Sequence, residues 1–486
     1  MAQFDILIRG GTVIDGTGAP RRLADVGIEG SRITALGALS SDTAAVVIDA
    51  RERIVAPGFI DSHTHDDRYL MLDPLMPAKL SQGVTTVVTG NCGVSLAPWR
   101  APAGQSVPPP LDLLGDDPAV FRFAAFCDYL AELGRAPAAV NAACLVGHTT
   151  LRIATMERLD RAATDSEIAA MQALLRDAME SGVIGLSTGA AYPTAMPATT
   201  GEMAAVAEVM RGYGGVYASH IRDEGDRIRE ALDEAFEVGA AGDAPVVISH
   251  HKLIGPKNHG RSVETLGHIA QAMQRQPIGL DCYPYTAGST ILRKDRLAMS
   301  SRVIVTRSVP HPEFAGQDLD DIAAAMGLSP EDAVDALQPA GAIYFLMDEQ
   351  DVQRILAFPE TMIGSDGLPH DCAPHPRLWG TFPRVLGHYC RDLGLFSLEQ
   401  AVHKMTGLTA RHFRLPGRGI LSHGNFADIT IFDAAGVADM ATFAQPVARA
   451  KGIETVIVNG TIAWSGGEST GARAGAVIRR NDTSAA

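Results

Sequence analysis

The chain has 486 residues, 46% of them hydrophobic, and a formal net charge of −15. That length predicts a large domain with a smaller companion, and the acidic balance excludes the basic surfaces that nucleic acid and anionic membranes demand. The start, Met1-Ala-Gln-Phe-Asp-Ile6, lacks signal-peptide character, and no apolar run reaches the ~18–20 residues of a membrane span, so the expectation is cytoplasmic. Six cysteines, at 92, 127, 144, 282, 372 and 390, form no C-x-x-C pair and read as reduced thiols. Disorder is expected only from Arg479 to Ala486.

The first 50 residues are short β patterns punctuated by glycine, at 4–14, 24–28, 32–37 and 45–50, which predict a small antiparallel sheet. Residues 427–433 and 453–464 have the same texture. Both ends therefore read as one small β domain (1–57 plus 415–486) around a different middle (58–414). The middle alternates strand and helix. Eight apolar runs ending in polar residues, at 59–60, 85–89, 141–146, 183–187, 215–219, 245–249, 278–282 and 361–365, read as buried parallel strands. Thr164-Asp-Ser-Glu167 has capping-box spacing and leads into the stripe Ile168, Met171, Leu174, Leu175 and Met179. Eight such strands alternating with helices predict an α/β fold, a (β/α)8 barrel of the TIM type. Almost 80 residues separate Tyr283 from Thr361, so 290–340 reads as an insertion over the barrel mouth, either a lid or a decoration.

A barrel of this kind gathers its site at the C-terminal ends of its strands. His63 and His65 follow the first strand, on one face if strand geometry persists. Cys92, in Gly90-Asn-Cys-Gly93, follows the second, His148 the third and His220 the fifth. His250-His251-Lys252 follows the sixth, Tyr283 the seventh and Asp366 the eighth. Six of the 15 histidines meeting on one rim predict a metal site. Imidazole, thiolate and carboxylate together suit Zn2+ better than Mg2+ or Ca2+. Cys92, His220 and His250 make one ligand set; His63, His65 and Asp366 make a second, with the Cys92 thiolate bridging. Asp366 is better placed as the base that takes a proton from water. His251 points away from its neighbours and reads as packing or support for the ligands. His148 stands between ligand and support. His370 and His375 either line the pocket or, the favoured reading, are ordinary loop residues. Lys252, Tyr283 and Arg377 either clamp an anionic substrate group, or the two cations pair with rim acids such as Asp371. Ser289, Thr290, Leu292 and Arg293, just beyond, would shape the same pocket.

These residues make the chain resemble the amidohydrolase superfamily, through Pro57-Gly-Phe-Ile-Asp-Ser-His-Thr-His65, the β-rich ends and Ile363-Gly-Ser-Asp-Gly367. More closely it is similar to the D-aminoacylases (N-acyl-D-amino-acid deacylases) over nearly its whole length. The motifs are Gly10-Gly-Thr-Val-Ile-Asp-Gly-Thr17, Thr89-Gly-Asn-Cys-Gly93, Ser219-His-Ile-Arg-Asp-Glu224, Ser249-His-His-Lys252, Tyr283-Pro-Tyr285, Gly364-Ser-Asp-Gly-Leu-Pro369 and His375-Pro-Arg-Leu-Trp-Gly380. The resemblance implies zinc-dependent hydrolysis of N-acyl-D-amino acids to a carboxylate and a free D-amino acid, broad with a preference for apolar side chains. It implies that Cys92, His220 and His250 hold a tight zinc, that His63 and His65 form a weaker second site, and that Asp366 is the catalytic acid/base. Lys252, Tyr283 and Arg377 would bind the α-carboxylate, with Ser289 beside them. No cofactor other than metal is implied, the partner is a small-molecule substrate, and the oligomeric state is not legible, a monomer being one option.

One departure is informative. Hydantoinase, dihydroorotase and isoaspartyl-dipeptidase relatives bridge two metals with a carboxylated lysine at the fourth strand. Here that strand end reads Leu186-Ser-Thr-Gly-Ala-Ala-Tyr192, without lysine, which argues against cyclic amides. The competing readings are a D-glutamate or D-aspartate deacylase, favoured by a cationic Arg293 or Arg296, and a dipeptidase or hydantoinase-like enzyme. A non-enzymatic scaffold on the same fold is the rival from another class, and it would be expected to lack ligands that are all present here.

Overall fold

The computed structural model describes residues 3–39 and 42–480, so Met1, Ala2 and the 481–486 part of the expected disorder lie outside the described residues. Eight parallel strands form the middle of the chain: β1 Phe59–Asp61, β2 Val84–Thr89, β3 Asn141–Gly147, β4 Gly185–Gly189, β5 Val216–His220, β6 Val246–Ile248, β7 Ile278–Cys282 and β8 Thr361–Ile363. Each pairs with the next in chain order. The ring closes from β8 to β1, where Ser62 N–H donates to Ile363 O at 3.3 Å and Asp366 N–H to His63 O at 2.8 Å. This is the expected TIM-type barrel. Its closure brings the first and last strand ends, and so His63 and Asp366, side by side.

The apolar run 54–61 forms two strands in two sheets. Ile54–Pro57 pairs antiparallel with Ile429–Phe432 in the terminal sheet, while Phe59–Asp61 enters the barrel. Gly58 makes the switch, because a Cβ there would lie 2.2 Å from the Thr85 side chain. The terminal sheet draws strands from both ends of the chain, Phe4–Val13 through Ile54–Pro57 and Ile429–Phe432 through Glu468–Ser469. It is mixed rather than antiparallel: Ala44–Asp49 and Ile54–Pro57 both run parallel to Phe4–Val13. The two short strands are successive pieces of one returning segment, broken by a turn, that lie against the halves of a single long strand. Stacking of Phe59 on Phe382 (5.9 Å) and its edge contact with Phe432 (6.1 Å) join this sheet to the barrel.

The helix Asp165–Ser181 carries the predicted capping box at Thr164 and Glu167 and buries Met171, Leu175 and Met179. Between β7 and β8 the chain builds a three-stranded antiparallel sheet, Ala287–Ile291, Val303–Ser308 and Ala340–Phe345, with helices Leu319–Met326 and Pro330–Leu337. It has its own apolar core, including Val305, Ile322, Val334 and Tyr344. Buried Arg307 fastens it to two barrel loops through Asp112 (3.0 Å), Asp116 (2.8 Å) and Asp371 (3.3 Å). At the C-terminal end, Val477–Ile478 pairs with β3, and Arg480 donates to Tyr213 O at 2.6 Å and Met179 O at 3.1 Å. Arg479 also donates, to Ser181 O at 2.8 Å. The expected disorder therefore does not extend to Arg479 and Arg480, which are tied to the barrel. Among the described residues, no helix is long and apolar enough to cross a membrane.

A buried polar node joins the terminal sheet to β3. Asp428 takes the Arg418 guanidinium, the Asn141 side-chain N–H at 3.1 Å and the Asn459 N–H at 2.8 Å. Asp428→Ala strands the buried Arg418 charge and should lower stability by about 3–5 kcal/mol in urea denaturation. A loss below about 1 kcal/mol, the value of an exposed pair, would show that the node does not bear on stability.

Candidate metal centre

His220 ends β5, whereas Cys92, His250 and Asp366 stand just past their strand ends in strained backbone. Cys92, His250 and Asp366 have φ of 55°, 36° and 49°, three of the eight non-glycine residues with positive φ among those described. Each such conformation costs about 1–3 kcal/mol and persists only when its surroundings impose it. For Cys92 they do. The Ser187 hydroxyl donates to Gly90 O at 2.5 Å and accepts from Gly93 N–H at 3.0 Å. Asp67 accepts from Gly90 N–H at 3.2 Å and Leu96 N–H at 3.4 Å. Gly189 on β4 leaves room for the loop, since a Cβ there would meet Cys92 O at 2.0 Å.

The donor atoms face one another. Cys92 Sγ lies 3.2 Å from His63 Nε2 and 3.3 Å from His250 Nε2, and His250 Nε2 lies 3.1 Å from His220 Nδ1. Asp366 Oδ1 lies 3.5 Å from His63 Nε2 and 3.4 Å from His65 Nε2. Two groups result, Cys92/His220/His250 and His63/His65/Cys92/Asp366, each with its donor atoms within 4.8 Å. They share the sulfur. A tetrahedral cation with bonds of 2.0–2.3 Å would hold its donors about 3.3–3.8 Å apart, so the residues fit a metal ion of this size. Burial works to raise the Cys92 thiol, but His63, His250 and His220 beside it pull it well below the ordinary value. Burial likewise opposes ionisation of Asp366, which Arg377, His63 and His65 nevertheless hold well below the usual carboxylate range. Burial would lower His65, yet Asp366 and Cys92 raise it to about 9. Two anions among imidazoles make a donor set ready for a cation.

Other residues fall where sequence left them open, or elsewhere. His148 opens the helix His148–Thr155, 3.4 Å from Glu202, outside both groups. His251 bonds Thr265 Oγ1 at 2.9 Å, as packing. His370 bonds Asp116 at 2.8 Å. His375 is not an ordinary loop residue: it is buried, meets Ala287 O at 3.0 Å and accepts the Arg377 N–H at 2.9 Å, linking the insertion to that arginine. Arg377 does not pair with Asp371, which belongs to Arg307. Its Nη2 lies 3.0 Å from both Asp366 Oδ2 and Ser289 O, and its Nε and Nη1 are buried without partners, as are Tyr283 Oη and Ser289 Oγ. Lys252 donates to Glu224 and lies 2.6 Å from His250 Nδ1. Arg293 is engaged by Asp295 at 2.7 Å and Ala191 O at 2.9 Å.

A cavity of about 30 Å³ separates these groups, lined by His65, His220, His250, Lys252, Tyr283, Ser289 and Asp366 together with Leu113, Tyr192, Tyr344, Leu346 and Leu368. Glu224 and Arg296 divide it from an outer cavity of about 660 Å³. Two functional residues escaped sequence reasoning. Glu224, four residues after His220, sets its Oε1 3.1 Å from His250 Nδ1. Asp281 accepts the His250 N–H at 2.8 Å; the available signal was an acid inside an otherwise apolar strand.

Burial lowers His251 from 6.5 to about 4, with Lys252 adding to the effect. A base whose folded value lies below its unfolded value contributes stability that is complete above pH 6.5. That contribution is lost as pH falls toward 4, about 3 kcal/mol in all. His251→Gln should flatten the loss of stability between pH 7 and 4.5 in urea denaturation. An unchanged slope would contradict a buried neutral ring.

A sequence profile of the Amidohydrolase family matches residues 46–463. The D-aminoacylase of Alcaligenes xylosoxydans xylosoxydans is 59% identical over 477 residues, 98% of this chain and 98% of that protein. A crystal structure of D-aminoacylase superposes with a TM-score of 0.95 at 59% identity, covering 98% of this chain and 100% of that one. The N-acyl-D-glutamate deacylase of Bordetella bronchiseptica was solved with zinc and a phosphonate that mimics the tetrahedral intermediate. It superposes with a TM-score of 0.94 at 45% identity, over 98% of this chain and 99% of that one. Likeness on this scale takes in terminal sheet, barrel and insertion together: the chain belongs to the amidohydrolase family and, within it, to the D-aminoacylases.

Proposed function

We propose that the protein hydrolyses N-acyl-D-amino acids to a carboxylate and a free D-amino acid, with one zinc held tightly by Cys92, His220 and His250. A second, weaker metal site would use His63, His65 and Asp366 with the shared sulfur. The observation that carries the reading is a set of unpaired donors beside the metal groups: Arg377 Nε and Nη1, Tyr283 Oη and Ser289 Oγ, all buried. Buried donors without partners are costly, and a carboxylate is a strong acceptor for guanidinium N–H groups and hydroxyls alike. Lys252 lines the same cavity with its charge engaged by Glu224.

Zinc, when bound, supplies a Lewis acid for the acyl carbonyl and acidifies a water. The protein supplies the rest. Asp366 is kept ionised by Arg377 and the imidazoles and faces His63 and His65 through Oδ1. It takes the proton of the attacking water and returns it to the departing amine nitrogen. Arg377 thus touches the base and the substrate carboxylate at once, fixing the distance between them. The cavity has the room of about one water, so substrate admission requires movement of the insertion that supplies Ser289, Tyr344 and Leu346. This supports a lid rather than a decoration.

Leu113, Tyr192, Tyr344, Leu346 and Leu368 line the cavity and support a preference for apolar side chains. Arg296 favours a second reading, acceptance of acidic side chains: it lines the cavity and lies 3.7 Å from Glu224. Initial rates on N-acetyl-D-methionine, N-acetyl-D-leucine, N-acetyl-D-glutamate and their L forms should favour the apolar D substrates, and preference for L substrates would reject the proposal. Asp366→Asn should keep the tight zinc and lose at least about a hundredfold in turnover. Near-normal turnover in that variant would remove Asp366 from the proton-transfer role.

A further inference from the structure

Asp281 lies in β7 between Leu280 and Cys282 and is 1% exposed. A carboxylate so buried persists only with partners, and its partners sit on two different donor residues. Oδ1 accepts the His250 N–H at 2.8 Å and lies 3.4 Å from His63 Nδ1. That nitrogen is the one turned away from the metal groups, since His63 Nε2 faces Cys92 Sγ at 3.2 Å. The main-chain carbonyl of Asp281 accepts the His251 N–H at 2.7 Å. His250, at φ 36°, holds a conformation that an L-residue leaves unless something fixes it. Asp281 fixes it from both sides, through the N–H of His250 and that of its successor. Gly364 on the neighbouring strand end leaves just enough space, because a Cβ there would lie 3.0 Å from Asp281 Oδ1 and 2.6 Å from His63 Cβ.

We propose that Asp281 is a positioning residue that couples the two metal groups, one carboxylate oxygen holding the backbone of His250 in the first and the ring of His63 in the second. This rests on the assignment of Cys92, His220 and His250, and of His63, His65 and Asp366, as ligands. Because both contacts end on the same oxygen, a shift of either histidine changes the contact made by the other. A carboxylate behind an imidazole also fixes the ring with its far nitrogen free for a cation and raises its basicity. Glu224 provides the contrast. It meets the His250 ring at 3.1 Å and takes Lys252, but it touches neither His63 nor His65, so its influence ends at the first group.

Metal-free protein titrated with Co2+ tests this, because both groups contain Cys92 and each binding phase should carry a thiolate-to-cobalt absorption band. Asp281→Asn, nearly isosteric, should weaken both phases by roughly 10–100-fold, whereas Glu224→Gln should weaken only the first. If Asp281→Asn fails to fold by circular dichroism, Asp281→Ser removes both contacts without added bulk and is read the same way. Loss confined to one phase in the Asp281 variant, no loss, or equal loss of both phases in Glu224→Gln would each overturn the coupling. Wild-type protein that takes up no cobalt would instead overturn the ligand assignment beneath it.

Discussion

A thiolate buried away from water is stable only if neighbouring charge replaces solvation, and the barrel mouth is arranged to meet that condition for Cys92. His63 and His250 approach its sulfur at 3.2 and 3.3 Å, and His220 stands 3.1 Å beyond His250. The sulfur belongs to both donor groups, so whatever fixes Cys92 fixes the relation between them. β4, whose end carries no lysine, contributes Ser187 and Gly189, which hold the loop that presents the sulfur.

That arrangement depends on backbone strain. Cys92, His250 and Asp366 all occupy left-handed conformations, and each is held by residues from a different strand end: Ser187 for the first, Asp281 for the second, and the main chain of His63 for the third. Closure of the ring between β1 and β8 is what brings His63 O within 2.8 Å of Asp366 N. Barrel topology and site geometry are thus one constraint. Opening the ring would separate the proposed base from the histidines that keep it ionised.

Much of this was legible in the sequence, for identifiable reasons. Buried parallel strands are short apolar runs with polar ends, so the eight strands and the rim residues could be read directly, Cys92 and Asp366 among them. Apolar character alone does not say which sheet a residue of 54–61 enters; the crossing lies at Gly58, where a Cβ would lie 2.2 Å from the Thr85 side chain. The partner of Lys252 was not legible either, since Glu224 reaches it across 28 residues of chain. Arg377 was foreseen at the rim, but its contact with Asp366 depends on ring closure and on the placing of His375 by the insertion. The terminal sheet was foreseen in composition and not in topology, because parallel pairing of 44–49 follows from the path of the chain rather than from its residue types.

The central claim is that the sulfur-containing triad holds the essential metal and the paired histidines hold a weaker one. Zinc content and turnover of N-acetyl-D-methionine, measured together in Cys92→Ala and in the double variant His63→Ala/His65→Ala purified without chelator, test it most directly. The double variant should retain about one zinc per chain and the greater share of activity, while Cys92→Ala should lose both. Retention of zinc and activity in Cys92→Ala, with their loss in the double variant, would mean that the two metal positions are reversed.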